Sequence, residues 1–223
     1  MVGTRFLASI PVIRQAPAIN ELSWQTIGAC ERAASVAILV AFSPLLAASA
    51  LAIAVASRRS PLIAHRRVGW RGQTLWMIKL RTMWDAEQRS GFQWIERICE
   101  EAREEVKEPG DPRVPNWLAR FFRRHSIDEI PQLWHVIRGQ MSLVGPRPAT
   151  ADELRRHYGA EAEEMLQVRP GMAGLWQISG RNRLTYAERK KLDLRYVRER
   201  SVRMYLKILL RTIPEVLTGA NSW

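Results

Sequence analysis

Asp128 and Glu129 stand side by side in a stretch, Ser126 to Pro148, that reads SIDEIPQLWHVIRGQMSLVGPRP, with Arg123 and Arg124 just before it. Two adjacent carboxylates divide labour well on phosphate: one attacks phosphorus while its neighbour holds a metal ion or moves a proton. Fixed cations then neutralise the equatorial phosphate oxygens. Arg147, set between Pro146 and Pro148, loses little freedom on binding, as a preorganised phosphate clamp requires. These residue types point to phosphoryl chemistry.

A plainer reading competes with it. Ser126 and Glu129 also fit the S-x-x-E capping box, in which the serine side chain receives the Glu129 amide and the glutamate returns the bond. Pro131 opposes a regular helix from Ile127, because its missing N–H falls where the helix needs a donor. A helix starting nearer Pro131 leaves both acids at its positive end, where ionised carboxylates and anionic ligands are favoured. From the residues alone, capping and catalysis both stand.

Other elements must bring cations to the acids. Residues 116–124 read as a helix with Trp117, Leu118, Phe121 and Phe122 on one side and Arg123 and Arg124 at its end. Thr74 to Arg81 alternates as a strand, so Lys79 and Arg81, two apart, share a face and could form a two-cation clamp. A solvated strand face explains them as simply. Residues 94–108, WIERICEEAREEVKE, read as a charged helix supported by Glu100/Arg103 and Glu104/Lys107 pairs, closed by turn residues Pro109 to Pro112. Helices are expected near 151–168 and 186–217, around a glycine-rich corner at 169–181. The last has leucines at helical spacing and many cations, so it either lies in a lipid interface or packs on the core.

From Ala33 to Ala56 there are 24 residues without a charge, between Glu31-Arg32 and Arg58-Arg59. A membrane-spanning helix requires roughly 20. Ser43-Pro44 near the middle predicts a break, since proline removes a donor and clashes with the preceding turn. The helix either crosses or enters, bends and returns, with Ser43 able to bond a freed carbonyl. Flanking cations at both ends give no orientation. The expected organisation is a leader (1–30), a membrane anchor (31–59) and a catalytic domain (60–223). The fold class is α+β, mostly helical, with a small strand element and interfacial amphipathic helices.

With 34 Lys+Arg against 22 Asp+Glu, the net charge is +12. The expected partner is a polyanion: nucleic acid, an acidic membrane surface or a phosphorylated substrate. Cys30 and Cys99 are far apart with no CxxC spacing, which argues against a zinc site or disulfide scaffold. Nine tryptophans are many for this length and suit a boundary between apolar and polar media.

The succession KLRTM (79–83), DPR (111–113), RRHSIDEIPQLWHVIRGQMSLVGPRP (123–148), RPGMAGLWQISGR (169–181) and LDLRYV (192–197) resembles the bacterial sugar transferase family, the monotopic phosphoglycosyl transferases. The resemblance implies transfer of a sugar-1-phosphate from a UDP-sugar to a polyprenol phosphate such as undecaprenyl phosphate, with magnesium. It implies that Asp128 attacks the sugar-bearing phosphate, releasing UMP, and that Glu129 is the metal ligand. Substrate binding would fall to Lys79, Arg81, Arg123, Arg147, Arg181 and Asp193. Ser43 and Pro44 would break a re-entrant helix that keeps both ends on the cytoplasmic face of a bacterial inner membrane. Nucleic acid is then no partner, and a homodimer stays open.

The chain departs from that pattern at Leu80 (usually Phe), His135 (usually Asn), Tyr205 (often Asp) and Glu31-Arg32 (commonly Lys-Arg). These changes spare the acidic pair but bear on the anchor's setting and the choice of sugar. A rival from another class is a membrane-tethered basic module that binds nucleic acid or acidic lipid through charge alone.

Overall fold

The computed structural model describes residues 21–83, 93–99, 117–180 and 183–218. The uncharged run forms part of one long helix, α1, Glu21–Ser57, with Pro44 inside it. It begins at Glu21, within the stretch expected to be an irregular leader. Among the described residues it is the one helix long and apolar enough to cross a membrane. Pro44 leaves the Val40 carbonyl without its helical donor, and Ser43 Oγ donates to that carbonyl at 2.8 Å.

One stripe of α1 faces the rest of the protein: Glu31, Ser35, Ser49 and Ile53 are buried. The small serines let the helix approach closely. Near its start Trp24 and Ile27 pack with Val144, Tyr205 and Ile208. Near its end Ile53, with Leu46 and Ala50, packs on Leu80 and Phe122. Between these contacts Val36, Val40 and Phe42 are exposed.

A three-stranded sheet follows, in the order β2-β1-β3. β1 (Leu62–Val68) and β2 (Thr74–Leu80) pair antiparallel, from Leu62 opposite Leu80 to Val68 opposite Thr74. β2 separates its side chains by parity. Leu75 and Met77 pack with Val136 and Met141, while Leu80 turns toward α1. Lys79 shares the parity of Leu75 and Met77.

The helix expected over 94–108 is not formed at its start. Ile95–Ile98 is strand β3, parallel to β1 with Leu62 opposite Ile95. Helical charge pairs are worth roughly 0.2–0.5 kcal/mol each, too little against the open edge of β1 and the β-branched Ile95 and Ile98. Residues 100–116, including the Pro109 to Pro112 turn, lie outside the described residues.

Helix α2, Trp117–Arg124, buries Phe122 but leaves Trp117 and Phe121 exposed. A 3-10 turn, Ile127–Gln132, leads into α3, Leu133–Ile137. β4 (Ser142–Val144) pairs parallel with β5 (Gly171–Ala173). The helix expected over 151–168 is divided. α4 (Ala151–Glu153) passes through a π turn and a 3-10 turn to α5 (Ala162–Met165), and Gly159 at φ 57 breaks the run. The single final helix is likewise two, α6 (Tyr186–Glu199) and α7 (Val202–Thr218). Arg200 is extended, and Ser201 Oγ accepts from the Met204 amide at 3.2 Å, capping α7. α7 buries Tyr205 and Ile208 and exposes Leu206, Leu210, Ile213 and Leu217.

Candidate active site

The acidic pair lies inside the 3-10 turn, whose first turn carries Asp128 and Glu129. Ser126 is left-handed at φ 54, and its side chain makes no cap hydrogen bond. Its main-chain carbonyl instead accepts from Glu129 N at 3.1 Å. The capping box is therefore not formed, and the Glu129 carboxylate points elsewhere. It meets Lys79 Nζ at 2.7 Å. Lys79 reaches it because the β2 face carrying Leu75 and Met77 packs on α3 and the turn before it. Both partners of the pair are part-exposed, open to ligand. Asp128, also part-exposed, precedes Glu129 in the same turn.

The clamp of Lys79 with Arg81 does not form as expected. Arg81 lies just past the end of β2, buried, with Nε donating to Ser60 O at 2.8 Å and Nη2 paired with Glu96 of β3. Each cation has its own carboxylate, on separate elements. The guanidinium ties the β1–β2 end to β3, a structural duty that local alternation could not foretell.

Two motifs distant in sequence form one unit. A Cβ on Gly171 would sit 2.0 Å from Gly145 N, and one on Gly145 would sit 2.5 Å from Arg169 O. The strands cross at glycines because nothing larger fits. Gly145 N donates to Ala173 O at 2.8 Å and Gly171 N to Pro146 O at 2.9 Å. The crossing sets Pro146 and Pro148, both buried, on either side of Arg147, which stays part-exposed.

Arg147 has a built surround. Its guanidinium lies over Trp176 at 5.7 Å, and Arg189 lies over the same ring at 5.0 Å. Burial, then the charge of Arg147, lowers the Arg189 pKa from its ordinary value. Asp193, expected to bind substrate, is instead interior at 1% exposure. It accepts from Tyr158 OH at 2.8 Å. Burial pushes its pKa up to about 7, against the Tyr158 bond and the charge of Arg147, which pull it down. Asp193 thus lies behind Arg147, whose charge reaches it. Tyr158 is held protonated, first by burial and then by Asp193. Sequence reasoning missed Arg189, Trp176 and Tyr158. Arg189 precedes Asp193 by one helical turn, a spacing that could have revealed it.

His135 is a satisfied interior histidine. Its Nε2 accepts from Ile78 N at 3.3 Å on the free edge of β2, which leaves Nδ1–H to donate to Gln140 Oε1 at 2.8 Å. Burial lowers its pKa, so it is neutral. Arg123 occupies the last turn of α2, part-exposed. Arg181 lies outside the described residues. Among the described residues no group of three or more acids, histidines or cysteines converges for a metal.

The family model described as bacterial sugar transferase matches residues 25–219. The chain is 41% identical over 188 residues to an exopolysaccharide production protein, ExoY, of Sinorhizobium fredii, covering 83% of this chain and 82% of that protein. It is 38% identical over 191 residues to a UDP-glucose:undecaprenyl-phosphate glucose-1-phosphate transferase of Caulobacter vibrioides, covering 82% and 66% of the two. It is 37% identical over 193 residues to an undecaprenyl-phosphate galactose phosphotransferase of Salmonella typhimurium, covering 85% of this chain and 40% of that one.

Proposed function

Because the chain belongs to the bacterial sugar transferase family and is a transferase, we propose that it moves a sugar-1-phosphate from a UDP-sugar to polyprenol phosphate. The observation that carries this reading is the pairing of Lys79 with Glu129 at 2.7 Å, in the same turn as Asp128. Lys79 positions the Glu129 carboxylate within the turn that also carries Asp128.

The Asp128 carboxylate attacks the sugar-bearing phosphorus. The bond from that phosphorus to the bridging oxygen breaks, and UMP leaves with the electron pair. An oxygen of polyprenol phosphate then attacks the same phosphorus and expels Asp128 as carboxylate. The product is a polyprenyl diphosphate sugar, the start of glycan or exopolysaccharide assembly. Arg147, set by the glycine crossing, and Arg123 hold phosphate oxygens.

The donor set suits magnesium, which takes one or two carboxylates and completes its shell with substrate phosphates and water. Glu129 would hold the ion, and Lys79 keeps that carboxylate in place. When bound, magnesium neutralises charge on the diphosphate oxygens.

The anchor is re-entrant in this reading, with the protein on the cytoplasmic face of the inner membrane. Support comes from both ends of α1 packing on the same body, through Trp24 and Ile27 at one end and Ile53 at the other. The exposed apolar residues of α7 and Trp117 of α2 suit an interface with lipid.

The test is UMP release by detergent-solubilised protein supplied with a UDP-sugar panel, polyprenol phosphate and magnesium. Release should require all three and vanish in Asp128→Asn. Robust turnover by Asp128→Asn would overturn the proposed nucleophile.

A further inference from the structure

Three arginines converge beside the point where α1 begins its uncharged run. Arg32 is the last charged residue before Ala33. Its Nη2 rests on Gly139, where an added Cβ would lie only 2.8 Å away. Arg71, in the turn between β1 and β2, and Arg169, ahead of β5, both lie over the Trp70 ring, at 4.3 and 4.9 Å. Arg169 also reaches along α1, its Nη1 4.0 Å from the Cβ position of Gly28, one helical turn before Arg32.

This gathering is held in place. Arg71 adopts φ 53, a left-handed conformation that is unfavourable for a non-glycine residue. Its amide is tied to Leu166 O at 2.9 Å. Trp70 Nε1 donates to Gln167 O at 3.1 Å, fixing the ring beneath both guanidiniums. Arg169 Nε is sealed from solvent without a hydrogen-bond partner. Arginine does not shed its charge, and cation–π contact offsets the burial of a guanidinium only in part. Burial, then the charge of Arg32, lowers the Arg169 pKa, and Glu31 offsets this in part. That acid is already engaged, its Oε1 accepting from Ser142 Oγ, Leu143 N and Tyr205 OH. A bound anion would supply the counter-charge.

We propose that Arg32, Arg71 and Arg169 form a binding site for the phosphate of a membrane lipid headgroup. Guanidinium forks suit phosphate oxygens. A lipid fits the position better than a soluble anion does. One turn beyond Arg32, Val36 is exposed, and Val40 is exposed one turn further. An acyl or isoprenoid chain can lie along that surface while its phosphate stays with the arginines. The proposal rests on the membrane reading of α1. The shared chemistry is a lipid phosphate, from either the polyprenol acceptor or an anionic phospholipid.

The test is native mass spectrometry of the full chain in detergent micelles, counting retained molecules of farnesyl phosphate or phosphatidylglycerol against phosphatidylcholine, with inorganic phosphate as competitor. Farnesyl phosphate, phosphatidylglycerol or both should be retained about tenfold more tightly than phosphatidylcholine, and Arg71→Ala and Arg169→Gln should each remove most of that preference. Preference for farnesyl phosphate assigns the site to the acceptor; preference for phosphatidylglycerol, or equal retention, assigns it to anionic lipid generally. Arg71 is exposed, so its variant folds even where Arg169→Gln does not. Asp128→Asn should lose turnover yet keep the lipid, which separates failure of this site from failure of the catalytic reading. Unchanged retention in Arg71→Ala, no preference over phosphatidylcholine, or displacement by inorganic phosphate at equal concentration would each overturn the proposal.

Discussion

Tyr205 donates its hydroxyl to Glu31 Oε1 at 2.6 Å, across 174 residues of chain. Both positions depart from the pattern the sequence resembles, where lysine and aspartate are usual, and the two departures touch. Ser142 Oγ and the Leu143 amide complete the set around Glu31, so α1 is latched to β4, the strand that leads into Gly145 and Arg147.

The latch makes a measurable demand. Tyr205→Phe leaves Glu31 with two of these three donors and should lower stability by about 1–2 kcal/mol. Tyr205→Asp sets a second carboxylate beside the first and should do worse. Adding Glu31→Lys to Tyr205→Asp should restore part of the loss, because opposite charges then face each other. Thermal melts of the three variants in detergent check the order.

Lys79→Met tests the Glu129 pairing. Both partners are part-exposed, at 22% and 32%, so stability should move by less than about 1 kcal/mol. Turnover should fall by about 10²-fold, because Glu129 loses the group that places it. UMP release beside a melting curve separates the two effects.

Asp193 supplies a pH dependence. Burial raises its pKa in the folded chain to about 7, from the ordinary 3.8. Between those values the folded chain keeps a proton that the unfolded chain has released. Its contribution to stability is therefore complete below about pH 4 and is lost as pH rises through 7, a change on the order of 4 kcal/mol. Asp193→Asn lacks this dependence. The stability difference, wild type minus Asn, should fall across that window and level off above it, as read by denaturation at a series of pH values.

Two glycines should respond differently to one methyl group. Gly171→Ala places a Cβ 2.0 Å from Gly145 N, forcing the β4–β5 crossing apart; the loss should exceed the 1–3 kcal/mol typical of overpacking. Gly159→Ala meets nothing within 4 Å and should lose about 1–3 kcal/mol, from backbone strain at φ 57 and ψ −126 alone. Folded yield and melting temperature distinguish them.

The sequence by itself determined what depends on neighbours along the chain. The uncharged run dictates α1, and Ser43 meets the carbonyl that Pro44 frees, because both effects are local. Alternation in residues 74–81 predicts β2, and the adjacent acids and Pro146-Arg147-Pro148 advertise phosphate chemistry by residue type. Only the tertiary structure decided which groups meet. Lys79 faces Glu129 and Arg81 faces Glu96 although both cations share one parity, because one is claimed by the turn before α3 and the other by β3, the strand on the far side of β1. Ser126 lost its capping role to a left-handed backbone, and Asp193 went inward to Tyr158. Residues 95–98 became a strand because β1 offered an unpaired edge, and an edge supplied from elsewhere in the chain leaves no mark on local periodicity.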